Sequence, residues 1–176
     1  PLRGKLLNTR DKEDITIANN AEICNIKKIL ALQEDKEYKD TSSLRYGRIM
    51  LMTDADADGS HIKGLIINFL SKWPSLMSLN GFITSLLTPI VKTWKKTDKK
   101  GKMNANCFYT IQAYEEWLQN NNDGRGYETK YYKGLGTSTP EEAQEWFMNL
   151  HEVKYQTDDL TDENFSLAFN KKRSDD

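Results

Sequence analysis

An α/β fold is predicted from three features of this 176-residue chain. Arg48-Ile49-Met50-Leu51-Met52 is an apolar run of strand length that leads to Asp54, Asp56 and Asp58. It passes at once into a helical pattern, Ile62, Leu65, Ile66, Phe69 and Leu70. Lys130 to Lys133 reads as a second strand entering a Gly-x-Gly turn, after which Thr139, Pro140 and Glu142 open another helix with a capping box. The length suits one domain with a substantial core.

Composition narrows the classes. Charged residues make up 29% and leave a formal net charge of −1, so bulk charge points to neither nucleic acid nor membrane. Any anion-binding surface must be local, and the cations do cluster: Arg3, Lys5 and Arg10, then Lys95, Lys96, Lys99, Lys100 and Lys102, then Lys171, Lys172 and Arg173. Cys24 and Cys107 lie far apart without metal spacing, which suits a reducing compartment and two small apolar side chains. No apolar run reaches membrane-spanning length and the first residues lack a signal-peptide pattern, so a soluble chain is expected. It begins at Pro1 without an initiator methionine and stops in a charged segment, which suggests a piece of a larger protein.

Taken in order, Pro1 to Arg10 reads as extended chain in which Gly4 separates Arg3 from Lys5, either an incidental charged edge or a pair able to reach a phosphate. Ile23, Ile26, Ile29 and Leu30 mark an amphipathic helix from about Asn20 to Gln33, capped by Asn19 or Asn20. Glu34 to Tyr46 is charged and serine-rich and reads as a mobile surface loop. The helix after the acidic tip should end near Lys72-Trp73-Pro74. Phe82 to Trp94 reads as a short element and then a strand from Pro89. Lys95 to Asn106 suits a solvated hairpin tip, Phe108 to Ile111 a short strand, and Tyr114, Trp117 and Leu118 a short helix ending near Asn120. Ala143, Trp146, Phe147 and Leu150 give the capped helix an apolar stripe, and Phe165 to Phe169 suits a short docking helix.

The acidic tip carries the chemistry. Ligands in α/β folds gather at the carboxyl ends of strands, and side chains alternate in extended chain, so Asp54, Asp56 and Asp58 can project to one side. Three neighbouring carboxylates repel one another unless a cation neutralises them, and a hard divalent ion with oxygen ligands does so. Two other readings remain open. One is a solvated acidic turn with Ser60 capping the helix. The other is a calcium loop, which Asp54-x-Asp56-x-Asp58-Gly59 begins correctly, although its twelfth position is Leu65 where a bidentate glutamate belongs. The Lys133-Gly134-Leu135-Gly136 turn before a helix is a candidate phosphate site, although Gly-x-Gly alone is weak evidence.

Pro-Leu-Arg-Gly-Lys at 1–5, Thr-Asp-Ala-Asp-Ala-Asp-Gly-Ser-His-Ile-Lys-Gly at 53–64, Thr-Pro-Ile-Val-Lys at 88–92, Tyr-Tyr-Lys-Gly-Leu-Gly-Thr-Ser at 131–138 and Ser-Leu-Ala-Phe-Asn-Lys-Lys at 166–172 resemble the TOPRIM region of type IIA DNA topoisomerases, across nearly the whole chain and in the right order. Ser-His-Ile-Lys-Gly and Tyr-Tyr-Lys-Gly-Leu-Gly-Thr-Ser are closer to the eukaryotic branch than to bacterial gyrase. Ala55 and Ala57 stand where animal enzymes commonly have glutamine, which points to a divergent eukaryote or a large virus.

The resemblance implies a Rossmann-like TOPRIM domain, a mostly parallel sheet flanked by helices whose first strand precedes this chain. It implies a domain over 1–155 and a connecting segment over 156–176 toward a winged-helix domain. Asp54 and Asp56 should be direct Mg²⁺ ligands, with Mn²⁺ or Ca²⁺ as possible substitutes, and Asp58 a weaker or outer partner; with Lys133 they form the expected catalytic set. Arg3, Lys5, His61, Lys133, Gly134 and Gly136 should face DNA. The glutamate of a Glu-Gly-Asp-Ser-Ala motif is expected before Pro1 and the nucleophilic tyrosine beyond Asp176, with ATP bound in another domain. The implied parent is a nuclear homodimer that cuts, passes and reseals double-stranded DNA through phosphotyrosyl bonds, with no membrane role, and this chain alone should be inactive. Another TOPRIM nuclease or primase, or a calcium-binding module, is the alternative.

Overall fold

The computed structural model describes residues 1–97 and 105–173; Lys99, Lys100 and Lys102 lie outside them. In chain order the elements are α1 (Asp14–Ala18), α2 (Ala21–Leu30), β1 (Ile49–Leu51), α3 (Ala57–Leu70), α4 (Pro74–Met77), β2 (Ile83–Leu86), β3 (Val91–Lys95), β4 (Asn106–Phe108), α5 (Ile111–Asn120), β5 (Tyr127–Tyr131), α6 (Pro140–Met148), β6 (Glu152–Lys154) and α7 (Thr161–Phe169), with short 3-10 turns at Asn122–Gly124, Leu135–Thr137 and Lys171–Arg173. They form two compact units. The first comprises Pro1–Met52, Asp58–Ser85 and Val153–Asp176; the second comprises Thr53–Ala57 and Leu86–Glu152.

In the first unit, α2 starts where an asparagine can accept an orphan N–H: the Asn20 side chain takes the Ile23 N–H at 3.0 Å. The helix stops at Ala31, whose φ of 60° is left-handed, so it is shorter than expected. Ile23 and Leu30 are buried as the spacing requires, but Ile29 is 54% exposed, at the margin of the stripe. The segment expected to be a surface loop is tied down. Tyr38 is buried, its hydroxyl accepts the Gln33 N–H at 2.9 Å, and its own N–H donates to Ser75 Oγ at 2.9 Å. An aromatic ring among charged neighbours supplied the anchor that composition concealed.

The first sheet has the order β1-β2-β6. β1 and β2 are parallel, pairing Ile49 with Ile83 and Leu51 with Ser85. Helix α3 buries Leu65, Ile66, Ile67, Phe69 and Leu70, and Phe69 meets the Trp73 ring edge-on at 5.5 Å. Phe165 and Phe169 of α7 pack against the same core, as a docking helix should. Phe169 lies on Gly64, where a Cβ would come within 2.7 Å of its Cζ. Gly64→Ala should therefore push the ring aside and cost about 1–2 kcal/mol, measured by urea unfolding; a change below about 0.5 kcal/mol would mean the ring yields freely.

The second unit is built on a different sheet, in the order β4-β3-β5, antiparallel throughout. Val91 pairs with Phe108 on one side and with Tyr131 on the other. Helix α5 is capped by Thr110, whose hydroxyl accepts the Ala113 N–H at 3.2 Å, so Ile111 opens a helix and does not extend the strand. Val91, Phe108 and Tyr114 form the small core. The α/β class holds: β1 and β2 of the first unit run parallel, and β3, β4 and β5 of the second unit form a separate antiparallel sheet.

Candidate metal and nucleic-acid site

The acidic tip divides between the units. Thr53–Ala57, with Asp54 and Asp56, belongs to the second, whereas Asp58 belongs to the first. All three side chains are exposed. The alternation expected of an extended tip stops at Asp56 because α3 takes over at Ala57, placing Asp58 in the first helical turn, where a carboxylate suits the N-terminal dipole. Among the described residues no three acidic, histidine or cysteine side chains are gathered closely enough to hold a metal ion by themselves.

Asp54 is held firmly. Its Oδ1 accepts the Leu135 N–H at 2.8 Å. A Cβ on Gly134 would lie 2.6 Å from Asp54 Cγ. Gly134 has φ 174° and ψ 178°, extended backbone open to any residue, so glycine is required there for space and not for torsion. The turn closes on itself: Thr137 Oγ1 donates to Gly134 O at 2.7 Å, and the Ser138 N–H donates to Leu135 O at 3.2 Å. The Leu135 N–H, read from sequence as part of a phosphate cradle, is thus committed to Asp54. Gly136 has open space where a Cβ would stand. Lys133 is exposed beside this turn.

The first unit holds the other candidates. Lys5 donates to Asp58 Oδ1 at 2.8 Å, and this bond and charge hold the Asp58 carboxyl below the usual carboxylate range. A predicted phosphate contact and a predicted metal partner are therefore paired with each other. Arg3 is exposed, and Gly4 between the two cations has φ 139°, a conformation that requires glycine. His61 is exposed on α3, its ring stacked along Phe169 at 6.4 Å and 15°.

Sequence reading missed a charged network behind the turn. Glu142, read from sequence as the residue completing a capping box, is only 8% exposed. Its oxygens accept from Lys130 Nζ at 2.8 and 3.0 Å, from the Tyr132 hydroxyl at 2.7 Å and from the Thr139 N–H at 2.8 Å. Burial alone would raise this carboxyl, but the bonds from Lys130, Thr139 and Tyr132 outweigh it and bring it from 4.5 down to about 2. Burial and the Glu142 bond push Tyr132 upward. A depressed carboxyl contributes stability above its unfolded value and loses it as pH falls toward the folded one. Wild type should therefore lose about 1–2 kcal/mol from this group between pH 4.5 and about 2, after allowance for solvent screening. A Glu142→Gln variant should lack that component of the acid profile, measured by chemical denaturation across the range. The sequence signal was Glu142 lying twelve residues after Lys130 near the end of strand β5.

Residues 1–88 match the Toprim domain and residues 86–176 the C-terminal associated domain of TOPRIM. The chain belongs to the Toprim family. This Toprim chain is 51% identical over 179 residues to DNA topoisomerase 2 of Penicillium chrysogenum, covering 99% of the chain and 11% of that protein. It is 53% identical over 158 residues to DNA topoisomerase 2 of Acanthamoeba polyphaga mimivirus, covering 88% of the chain and 12% of that protein. It superposes on the Plasmodium falciparum topoisomerase II DNA-binding, cleavage and re-ligation domain with a TM-score of 0.88 at 44% identity, over 98% of this chain and 23% of that one. The Toprim chain thus spans about a tenth of the curated relatives it matches.

The donors of the Toprim chain can be tested against a divalent ion. Asp54 and Asp56 are exposed carboxylates two positions apart, and Asp54 accepts the Leu135 N–H. Magnesium is typically held by one or two carboxylates, with water and phosphate completing the shell, so this donor set fits. A calcium loop does not: Leu65, at the position of its bidentate glutamate, is 2% exposed within α3, and a strand, not a helix, precedes Asp54. Among the described residues no helix of the Toprim chain is long and apolar enough to cross a membrane.

Proposed function

We propose that this chain is the metal-binding and DNA-contacting part of an ATP-dependent type IIA topoisomerase that cleaves, passes and religates double-stranded DNA. The observation that carries this reading is whole-chain similarity, near 50% identity, to proteins named DNA topoisomerase 2. The seating of Asp54 against the Gly134–Leu135 turn supports it, because an oriented carboxylate at a strand end is what a cation site needs.

On this reading Asp54 and Asp56 hold Mg²⁺. The ion, when bound, neutralises charge on the scissile phosphate and the leaving 3′-oxygen. Asp54 keeps one orientation because its Oδ1 is bonded to the Leu135 N–H. Asp58 balances Lys5, which suits the outer role expected of it. Arg3, Lys5, His61 and Lys133, all exposed, face phosphates of the duplex, Lys133 beside the reacting one, and the Gly134 to Gly136 turn lies along the backbone. The parent is a nuclear homodimer with its ATP site, its nucleophilic tyrosine and a further metal-binding glutamate outside this chain, so the chain alone should not nick supercoiled plasmid.

Titration calorimetry of the chain with Mg²⁺ and Ca²⁺ tests the reading. About millimolar Mg²⁺ binding, lost in Asp54→Ala and in Asp56→Ala, is expected. About micromolar, calcium-selective binding indifferent to both substitutions would sink it.

A further inference from the structure

We infer that Glu142 is a positioning residue: its carboxylate clamps both ends of the loop that seats Asp54, an inference that rests on the metal-site reading above. The loop is residues 133–138. It leaves strand β5 through Tyr132 and enters α6 through Thr139. The Tyr132 hydroxyl donates to Glu142 Oε1 at 2.7 Å on the strand side, and the Thr139 N–H donates to Oε2 at 2.8 Å on the helix side. One side chain therefore ties the entry of the loop to its exit.

A glutamate that only caps a helix needs the N–H of its cap residue and sits in water. Glu142 is 8% exposed and also takes Lys130 Nζ on both oxygens, at 3.0 and 2.8 Å. Lys130 in turn lies 4.7 Å over the Tyr132 ring. Tyr132 is anchored from behind, its N–H donating to Ile90 O at 2.9 Å. Between the clamped ends the loop is bonded to itself from Thr137 and Ser138 back to Gly134 and Leu135. A continuous run of bonds joins Glu142 to the Leu135 N–H, and that N–H orients Asp54. With no Cβ at Gly134 the carboxylate rests directly on the loop backbone, so any drift of the loop moves the ligand.

Glutamine weakens the clamp, because its amide nitrogen cannot accept as the second carboxylate oxygen does and it carries no charge for Lys130. The test is amide hydrogen exchange at Leu135 in the 176-residue chain. Glu142→Gln should raise it by about tenfold or more, and should weaken Mg²⁺ binding by about tenfold, the usual cost of losing a group that orients a ligand. The control is Glu145→Gln on the same helix, which breaks a pair with the buried Lys92 at 2.8 Å. It lowers thermal stability too, but should leave Leu135 exchange within about twofold. Tyr132→Phe keeps the ring and removes one donor; it should raise exchange about threefold and serves if Glu142→Gln fails to fold.

Unchanged Leu135 exchange in both Glu142→Gln and Tyr132→Phe overturns the inference, as does an equal rise in Glu145→Gln. Wild type that binds no Mg²⁺ would defeat the metal-site reading and with it the orienting role toward a ligand; Leu135 exchange then shows separately whether the loop clamp itself exists.

Discussion

Asp54→Ala in a full-length parent enzyme should reduce metal-dependent double-strand DNA cleavage about a thousandfold, the several kcal/mol that a Lewis-acid ion contributes to a phosphoryl transition state. The side chain is exposed and outside the apolar core, so thermal stability should hardly move. That combination separates a ligand from a structural carboxylate. The Leu135 N–H, which Asp54 now accepts, is released to solvent and leaves no buried unsatisfied donor. Cleavage assayed against Mg²⁺ concentration decides the matter: loss not recovered at high metal is expected, whereas near-normal cleavage would remove Asp54 from the site. Asp58→Ala should cost less, because that carboxylate balances Lys5.

Phe69→Ala should be the most destabilising single truncation in the first unit, at about 4 kcal/mol. Phe69 is completely buried and packs edge-on against Trp73, so its removal forfeits both transfer energy and an aromatic contact, and leaves a cavity in the core. For a chain of this size the expected fall in melting temperature is about 10 °C. A fall below about 3 °C would mean the core repacks around the gap.

What could be read from sequence was local. The Asn20 cap and the Thr139–Glu142 capping box are interactions across three residues, and both appear as anticipated. Periodicity found a face for each helix but not what covers it, which explains Ile29 at 54% exposed and Phe147 at 55%. Helices α1 and α4, of five and four residues, are too short to establish a period. Strand β6, three residues long, carries no alternation of its own. The candidate residues were legible as two separate stretches, whereas their junction was not. Asp54 and Leu135 are 81 positions apart, and neither residue announces the other. The same holds for Glu142, whose sequence context describes a capping box but not its bonds to Lys130 and Tyr132.

The bare backbone at Gly134 under the Asp54 carboxylate has an evolutionary corollary. Family boundaries fall at residues 86–88, so a chimera spliced there from two distant homologues would inherit one half of this contact from each parent. Its success would depend on whether the donors agree about size at these two places, and a lineage that enlarged either position would have to shrink the other in step.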